Sequence, residues 1–273
     1  MAAETATAKK SGAKLDLATA AGLVVGLGGI LGGLMLEGGS VREIAAPTAL
    51  LIVLGGTLGA VMVSTPYYLL RGAMRSLASV FFEKAQSPEA MIDQIVIYSA
   101  TARKSGIVSL EKVADDAPDP FLRKALTLAV DGTDLQELRK MMELEIVMEE
   151  HHAEAEAKIF EGAGGYAPTI GIIGAVLGLI QVMKDLADIE KVGHGIATAF
   201  VATIYGVGFA NLLFLPAAGK IKARAHEKTQ MRELILEGVI GIVEGSNPKL
   251  IRSKLEAYTR RQPAKPAKKE AAR

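Results

Sequence analysis

Residues 164–186 read GGYAPTIGIIGAVLGLIQVMKDL, and this stretch decides the fold. Within it, positions 166–186 carry no acidic or basic side chain until Lys184. A helix needs about 20 mostly apolar residues to cross the roughly 30 Å hydrocarbon core of a membrane. The length and composition of this stretch therefore predict a membrane-spanning helix.

Three further apolar runs have the same character, at about residues 15–36, 44–63 and 196–215. Acids and bases lie only near their ends. One such run is compatible with a buried helix of a soluble protein, but four runs in two closely spaced pairs favour membrane insertion. The first run is too long for a signal-peptide core and lacks an A-x-A cleavage site before Glu37. We therefore expect it to be retained as a span.

The overall composition excludes several other classes of protein. Hydrophobic residues make up 50% of the chain, whereas the net charge is only +1, which gives no reason to expect nucleic-acid binding. Cysteine is absent, so a disulfide, a thiolate metal site and a cysteine nucleophile are excluded. The four histidines do not cluster with acids at a metal-ligand spacing. We expect no metal, no cofactor and no enzymatic activity.

Basic residues are concentrated on one side of the spans, and this predicts the topology. They are Lys9, Lys10, Lys14, Arg71, Arg75, Lys220, Lys222 and Arg224. The loop at 184–194 on the other side contains Lys184 and Lys191, but the acids Asp185, Asp188 and Glu190 accompany them. Both termini and the long middle segment are therefore expected in the cytoplasm. The predicted layout is a tail at 1–14, two spans at 15–65, a cytoplasmic domain at 66–165, two spans at 166–217 and a C-terminal segment at 218–273. The last residues, 263–273, are rich in Pro, Ala and Lys and are expected to be disordered.

The middle segment carries helix start and stop signals. Ser87 and Asp119 each precede a proline, as an N-cap precedes a proline at the first helical position. Asp134 and Glu137 have the spacing of a capping box, and Gly132 is a plausible helix C-cap. No stretch shows sustained strand alternation. The predicted fold class is all-α, with four transmembrane helices and a helical domain between spans 2 and 3.

Glycines recur at helical spacing inside the spans, and small residues let helix backbones approach closely. The three sets are Gly22, Gly26, Gly29 and Gly33; Gly171, Gly174 and Gly178; and Gly55 and Gly59. Such stripes are typical of tight oligomers, and equally of packing within one four-helix subunit. The spacing alone leaves both interpretations open.

The centres of the spans carry no carboxylate, His, Lys or Arg, although an ion carrier normally needs one. Either the protein moves no ions or a partner supplies the titrating group. The polar residues of the last two spans are Thr169, Thr198, Thr203, Tyr205 and Asn211. A threonine in a helix often bonds only its own backbone. Pro168 and Pro216 each free a backbone carbonyl, which makes either a hinge or a static kink.

The sequence resembles the MotA/PomA family of flagellar stator proteins over about residues 15–258. The resemblance rests on GGYAPTIGIIGAVLGL at 164–179, ATIYG at 202–206, FLP at 214–216, DLAT at 16–19, LEGGS at 36–40 and GGTLGA at 55–60. TolQ/ExbB proteins, which energise envelope processes, share parts of the last two spans but have three spans. A small-substrate transporter is a further alternative, although the first two spans offer mostly glycine and aliphatic residues. A membrane enzyme would need a catalytic constellation, and we find none.

The resemblance implies that this is a multi-pass protein of the bacterial inner membrane. It also implies a mechanism. Family members form a pentameric ring around a dimer of a single-span, peptidoglycan-anchored partner, MotB or PomB, whose Asp binds the ion. Ion passage rotates the ring, which turns the rotor protein FliG. A family pattern, R-x-x-G-x-x-x-L-E, matches residues 103–111. By this match Arg103 and Glu111 would contact the rotor, with Lys104 as a helper. Membrane lipid is the remaining expected partner.

The same resemblance bears on the ion pathway, to which we assign Thr203, Ala175, Pro168, Pro216 and Tyr205. Sodium-driven members tend to carry a threonine seven residues after the proline of the third span. Here that position is Ala175, which offers no oxygen ligand, whereas proton-driven members also keep the threonine at the position of Thr203. We therefore predict proton coupling.

Overall fold

A computed structural model describes residues 14–83, 87–184 and 186–259, without the side chains of Lys14, Ser79, Glu83 and Thr259. Three sequence predictions fall outside this part of the chain. They concern the N-terminal tail with Lys9 and Lys10, the charge of Asp185, and the tail at 263–273.

The described chain is helical apart from one short strand pairing. Strand β1 (Lys14–Leu15) pairs antiparallel with β2 (Phe82–Glu83). The helices are α1 (Leu17–Leu36), α2 (Pro47–Ser64), α3 (Tyr67–Phe81), α4 (Pro88–Ser105), α5 (Glu111–Asp115), α6 (Pro120–Val130), α7 (Leu135–Lys184), α8 (Ile189–Phe209), α9 (Leu215–Val243) and α10 (Pro248–Thr259). A 3₁₀ turn at Ile107–Leu110 precedes α5, and a π-helical turn at Ala210–Phe214 joins α8 to α9.

Four helical stretches are long and apolar enough to cross a membrane, and they overlap the four predicted spans. They are α1, α2, α7 and the continuous run of α8 into α9. None of the residues of α1 is buried. Because an apolar helix without buried residues is unstable in water, this exposure suits a lipid environment or a contact with another chain. The predicted fold class is confirmed.

The chain divides into two compact units. The membrane unit comprises the described residues within 1–84 and 152–225, and the helical unit comprises those within 85–151 and 226–273. In the membrane unit, the cores join α2 and α3 to α7 and to the α8–α9 run through small residues such as Ala73, Ala163, Ala167, Ala202 and Ala217. Small side chains let these helices pack closely, as expected for helices in a bilayer.

The helical unit has an aliphatic core built from α4, α6, α10 and the parts of α7 and α9 that belong to it. Leu122, Leu138, Ile235 and Leu255 are fully buried there. At its edge, the Arg232 guanidinium lies 5.0 Å from the centre of the Phe121 ring. This contact joins α9 to the start of α6 through a cation–π interaction.

The predicted helix caps are present. The Ser87 hydroxyl accepts a hydrogen bond from the amide of Ala90, and the Asp119 carboxylate accepts from the amides of residues 121 and 122. The Asp134 carboxylate likewise accepts from the amides of Gln136 and Glu137. Gly132 has a positive φ of 75° just after α6, which favours glycine at a helix end. The middle segment therefore starts and stops its helices where the sequence predicted.

Candidate functional site

The third and fourth spans meet through glycines at backbone contact. A Cβ built on Gly206 of α8 would lie 2.5 Å from the Ala167 carbonyl oxygen and 3.2 Å from the Cα of Pro168. A Cβ on Gly171 of α7 would lie 2.9 Å from the Ala202 carbonyl oxygen. Only glycine fits such approaches without displacing the backbone. The stripe at Gly171, Gly174 and Gly178 therefore packs within one subunit.

The glycines of α1 behave differently. Among the described residues, no atom comes within 4 Å of a Cβ built on Gly22, Gly29 or Gly33, whereas one built on Gly26 meets Leu212 at 3.1 Å. Three of the four glycines in this stripe therefore face away from the rest of their own subunit. A Cβ built on Gly55 or Gly59 of α2 likewise meets no described atom within 4 Å. The interpretation as an intersubunit surface therefore stays open for α1 and for this pair on α2.

The close approach of α7 and α8 brings two of the pathway residues together. Pro168 and Thr203 both border the glycine contacts, since a Cβ on Gly171 would lie 3.5 Å from the Cα of Thr203. The Thr203 hydroxyl donates to the Ala199 carbonyl at 3.4 Å, so it is engaged with its own helix. Ala175 lies half-buried one turn beyond Gly171 on α7. Its methyl group supplies no oxygen at that position.

Tyr205 lies on a different side of α8, directed to the start of α2. Its hydroxyl donates to the Ile44 carbonyl and accepts from the amide of Ala46 at 3.3 Å. Its ring packs 5.9 Å from that of Phe209. These contacts fix the connection between α1 and α2 to the fourth span.

Pro216 follows a π-helical turn. The amide of Leu215 donates to the carbonyl of Ala210, five residues earlier, instead of four as in an α-helix. Proline has no amide hydrogen and cannot continue the normal ladder, so the wider turn absorbs the mismatch. Asn211 lies within this turn, and its side-chain amide donates to the Val207 carbonyl at 2.9 Å. α7, in contrast, continues without interruption through Pro168.

Asp16 forms a charged junction that the sequence analysis did not identify. Its carboxylate caps α1 and contacts Lys220 at 2.5 Å and Arg224 at 2.9 Å, and the residue is only 7% exposed. The hydrogen bond from Lys220, with those from Thr19 and Arg224, holds the pKa of the Asp16 carboxyl well below its usual range. Arg224 also donates to the Phe82 carbonyl. In the sequence, Asp16 is an acid at the start of the first span, and Lys220 and Arg224 are bases four residues apart after the fourth span. Neither feature predicts that these residues pair.

The proposed rotor-binding residues lie at one end of α4 and in the turn that follows. Arg103 and Lys104 occupy the last turn of α4, and Glu111 begins α5, all exposed. Gly106 has a φ of 82°, and buried Leu110 attaches the loop to the core of the helical unit. Within the described residues, none of the three charged side chains forms an ion pair, whereas Lys124 of α6 pairs with Glu145.

This loop also exposes apolar surface. Val108 lies at its apex with 64% of its surface exposed. Arg103 borders a shallow groove of about 390 Å³ whose other lining residues include Ala102, Ile107, Ala129 and Ile242. Unpaired charges around an exposed valine, beside a groove lined by both apolar and hydroxyl-bearing side chains, are compatible with a protein-binding surface. The charge pattern alone could not reveal the groove, because its lining comes from three separate helices.

Comparison with known proteins gives the family. The profile of the MotA/TolQ/ExbB proton channel family matches residues 113–234, and that of the motility protein A N-terminal region matches residues 20–106. Motility protein A of Bacillus subtilis is 38% identical over 62% of this chain, and the match spans 63% of that relative's length.

Two further relatives match over almost their whole length. Motility protein A of Helicobacter pylori is 32% identical over 94% of this chain and 99% of its own. The solved structure of C. jejuni MotAB superposes with a TM-score of 0.86 at 29% identity, covering 95% of this chain and 100% of that one. The chain therefore belongs to the motility protein A branch of the MotA/TolQ/ExbB proton channel family.

Proposed function

We propose that this chain is the ring-forming subunit of a flagellar stator, which conducts protons together with a MotB-like partner and converts their flow into rotation. One observation carries the proposal. The paired third and fourth spans combine a proline, a threonine and close glycine contacts, but the centre of every span lacks an ionisable side chain. A proton channel of this kind needs a carboxylate from elsewhere. A single-span partner with an intramembrane Asp supplies it.

The assembly proposed is a pentamer of this chain around a dimer of the peptidoglycan-anchored partner, in the bacterial inner membrane with both termini in the cytoplasm. Two observations support self-association. α1 has no buried residue, and its glycines at 22, 29 and 33 face away from their own subunit. A helix with an open small-residue face is suited to close packing against another chain.

The rotor contact is assigned to Arg103, Lys104 and Glu111, with FliG as the protein contacted. The support for this assignment is geometric. The three side chains are exposed and carry no ion-pair partner among the described residues, and Gly106 and buried Leu110 hold the loop between them in place. Charges that are unpaired in the free protein can form intermolecular pairs without first breaking intramolecular ones.

The assembly and the conduction are tested together. The chain is co-expressed with its cognate partner, purified in mild detergent and weighed by native mass spectrometry, then reconstituted into proton-loaded vesicles. We expect a pentamer-to-dimer mass and a proton leak that requires both chains. Replacing the partner's intramembrane Asp by Asn should abolish the leak while the mass is retained. A leak of full size from this chain alone would refute the proposal, because the carboxylate would not come from the partner.

A further inference from the structure

Helix α3 has two opposite faces, and one of them is unpartnered within the described chain. Leu70, Ala73, Leu77 and Val80 pack into the core of the membrane unit. The opposite face exposes Tyr67 at 80%, Tyr68 at 68% and Met74 at 65%. Large exposed apolar side chains that lie together on a surface mark a site of interaction with a protein or a membrane. We therefore expect this exposed face to contact another molecule.

Both ends of α3 are fixed to the ends of membrane spans. α3 begins at Tyr67, directly after α2 ends at Ser64. At its other end, the amide of Asp16 donates to the Phe81 carbonyl at 2.9 Å, and β1 pairs with β2. Asp16 is the N-cap of α1, so α3 connects the exit of the second span to the entry of the first.

This attachment determines where α3 lies. α1 leaves the membrane boundary at Asp16, and α2 returns to the same boundary at Ser64. A helix joined to both points lies along that boundary and does not project away from it. With 15 residues, α3 extends about 22 Å in this plane.

The charge of the exposed face has one sign. α3 contains Arg71 and Arg75, one helical turn apart, and no acidic residue. Both arginines are exposed, and neither forms an ion pair within the described part of the chain. Bases of the neighbouring α9 are, in contrast, neutralised, since Lys220 pairs with Asp16 and Lys222 with Glu161. The two arginines are thus available to an external anion.

We propose that α3 lies in the headgroup layer of the cytoplasmic leaflet and that Arg71 and Arg75 bind the phosphates of anionic phospholipids. Tyrosine rings prefer the membrane–water interface, and Met74 lies on the same exposed side as the arginines. Arginine suits phosphate because its guanidinium donates two parallel hydrogen bonds. The proposal rests on membrane insertion with the orientation proposed above and is independent of the rotor contact and of the coupling ion.

The first experiment measures lipid selectivity of the complex purified with its partner. Phosphatidylglycerol or phosphatidylcholine is titrated into the detergent-solubilised complex, and bound lipid is counted by native mass spectrometry. We expect tighter binding of phosphatidylglycerol. The double variant Arg71→Gln/Arg75→Gln should weaken it by about 25-fold, because each basic residue near an anionic surface contributes about fivefold.

The matched control is Arg103→Gln/Lys104→Gln, which removes the same charge from the rotor-binding loop and should leave phosphatidylglycerol binding unchanged. Equal losses in both double variants would refute the site, because the effect would then follow net charge. Unchanged binding in Arg71→Gln/Arg75→Gln would refute it as well. Loss of the pentamer in that variant would assign the face to a neighbouring copy and overturn the proposal.

A second measurement does not depend on these charge variants. Because the chain has no cysteine, Met74→Cys and Val108→Cys each give one labelling site for a fluorophore. In nanodiscs with brominated lipids, we expect strong quenching of the label at position 74 and little at position 108. Quenching at position 74 as weak as that at position 108 would place α3 away from the headgroups and refute the proposal.

Discussion

Among the charged residues, Asp16 interacts with several parts of the fold at once. It caps α1, pairs with Lys220 and Arg224, and is almost fully buried. Its lowered pKa means that the charged carboxylate stabilises the folded state. For a carboxyl with a lowered pKa, this stability is complete above the ordinary value of 3.8 and is lost as the pH falls towards the folded value.

We therefore expect Asp16→Asn to destabilise the complex by roughly 1.5–3 kcal/mol, the range for a hydrogen bond to a charged group. The destabilisation should be equal at pH 7 and pH 5, because Asp16 is ionised at both. Melting temperatures of the detergent-solubilised complex provide the measurement. As a control, Asp93→Asn removes only the exposed pair with Arg252 and should cost less than about 1 kcal/mol. A cost for Asp16→Asn that disappears at pH 5 would contradict the assignment.

Arg103 is a residue of the opposite kind, unpaired and exposed. Reversing it to Glu should reduce swimming speed severalfold, because like charges across an interface cost several kcal/mol. Membrane insertion and proton leak should be retained. Lys140→Glu is a matched control, since Lys140 is also exposed and makes no ion pair among the described residues. Equal swimming by the two variants would show that Arg103 is an ordinary surface charge. A charge reversal on the rotor should restore part of the speed of Arg103→Glu.

At the level of helices, sequence patterns predicted some elements completely and others not at all. The caps at Ser87, Asp119 and Asp134 were predictable because a cap is a local interaction between residues two or three apart. The glycine stripes were visible, but their partners were not, because spacing describes one helix and contact requires two. The π-helical turn before Pro216 depends on how the backbone adjusts to the hydrogen bond that proline cannot donate. The sequence does not determine this adjustment.

The glycine contact between α7 and α8 gives a prediction for these two elements. Gly206→Ala should destabilise the complex by roughly 1–3 kcal/mol, because the new methyl group would collide with backbone atoms of α7. Gly208→Ala is the control on the same helix, since a Cβ there meets no described atom within 4 Å. Thermal unfolding in detergent compares the two. Similar melting temperatures for both variants would mean that α7 and α8 are farther apart than the structure shows.

At the level of the whole molecule, the number of spans could be predicted from the sequence, because the length of an apolar run can be read directly from its residues. The candidate site was less predictable. Pro168 and Thr203 do lie along the same helix contact, but Tyr205 is directed to Ile44 and Ala46, a pairing between residues about 160 positions apart. The junction at Asp16 joins residues 208 positions apart, and no local pattern encodes such a pairing.

The identity of the coupling ion is a property of the whole assembly. A sodium ion stripped of water needs several hard oxygen ligands, and each missing one is costly in a low-dielectric site. Ala175 supplies none, and the Thr203 hydroxyl already donates to the Ala199 carbonyl. A proton needs only a carboxylate and a hydrogen-bonded path. We therefore expect proton coupling of this stator.

The measurement is the swimming speed of cells that depend on this stator, in potassium buffer without sodium and then with a protonophore. Swimming should persist without sodium and collapse with the protonophore. Ala175→Thr adds the missing hydroxyl and should make the speed partly sodium-dependent, whereas Ala175→Val, which has a similar size but no oxygen, should not. Strict sodium dependence of the unaltered chain would overturn the prediction. Backbone carbonyls near Pro168 would then have to supply the ligand that Ala175 lacks.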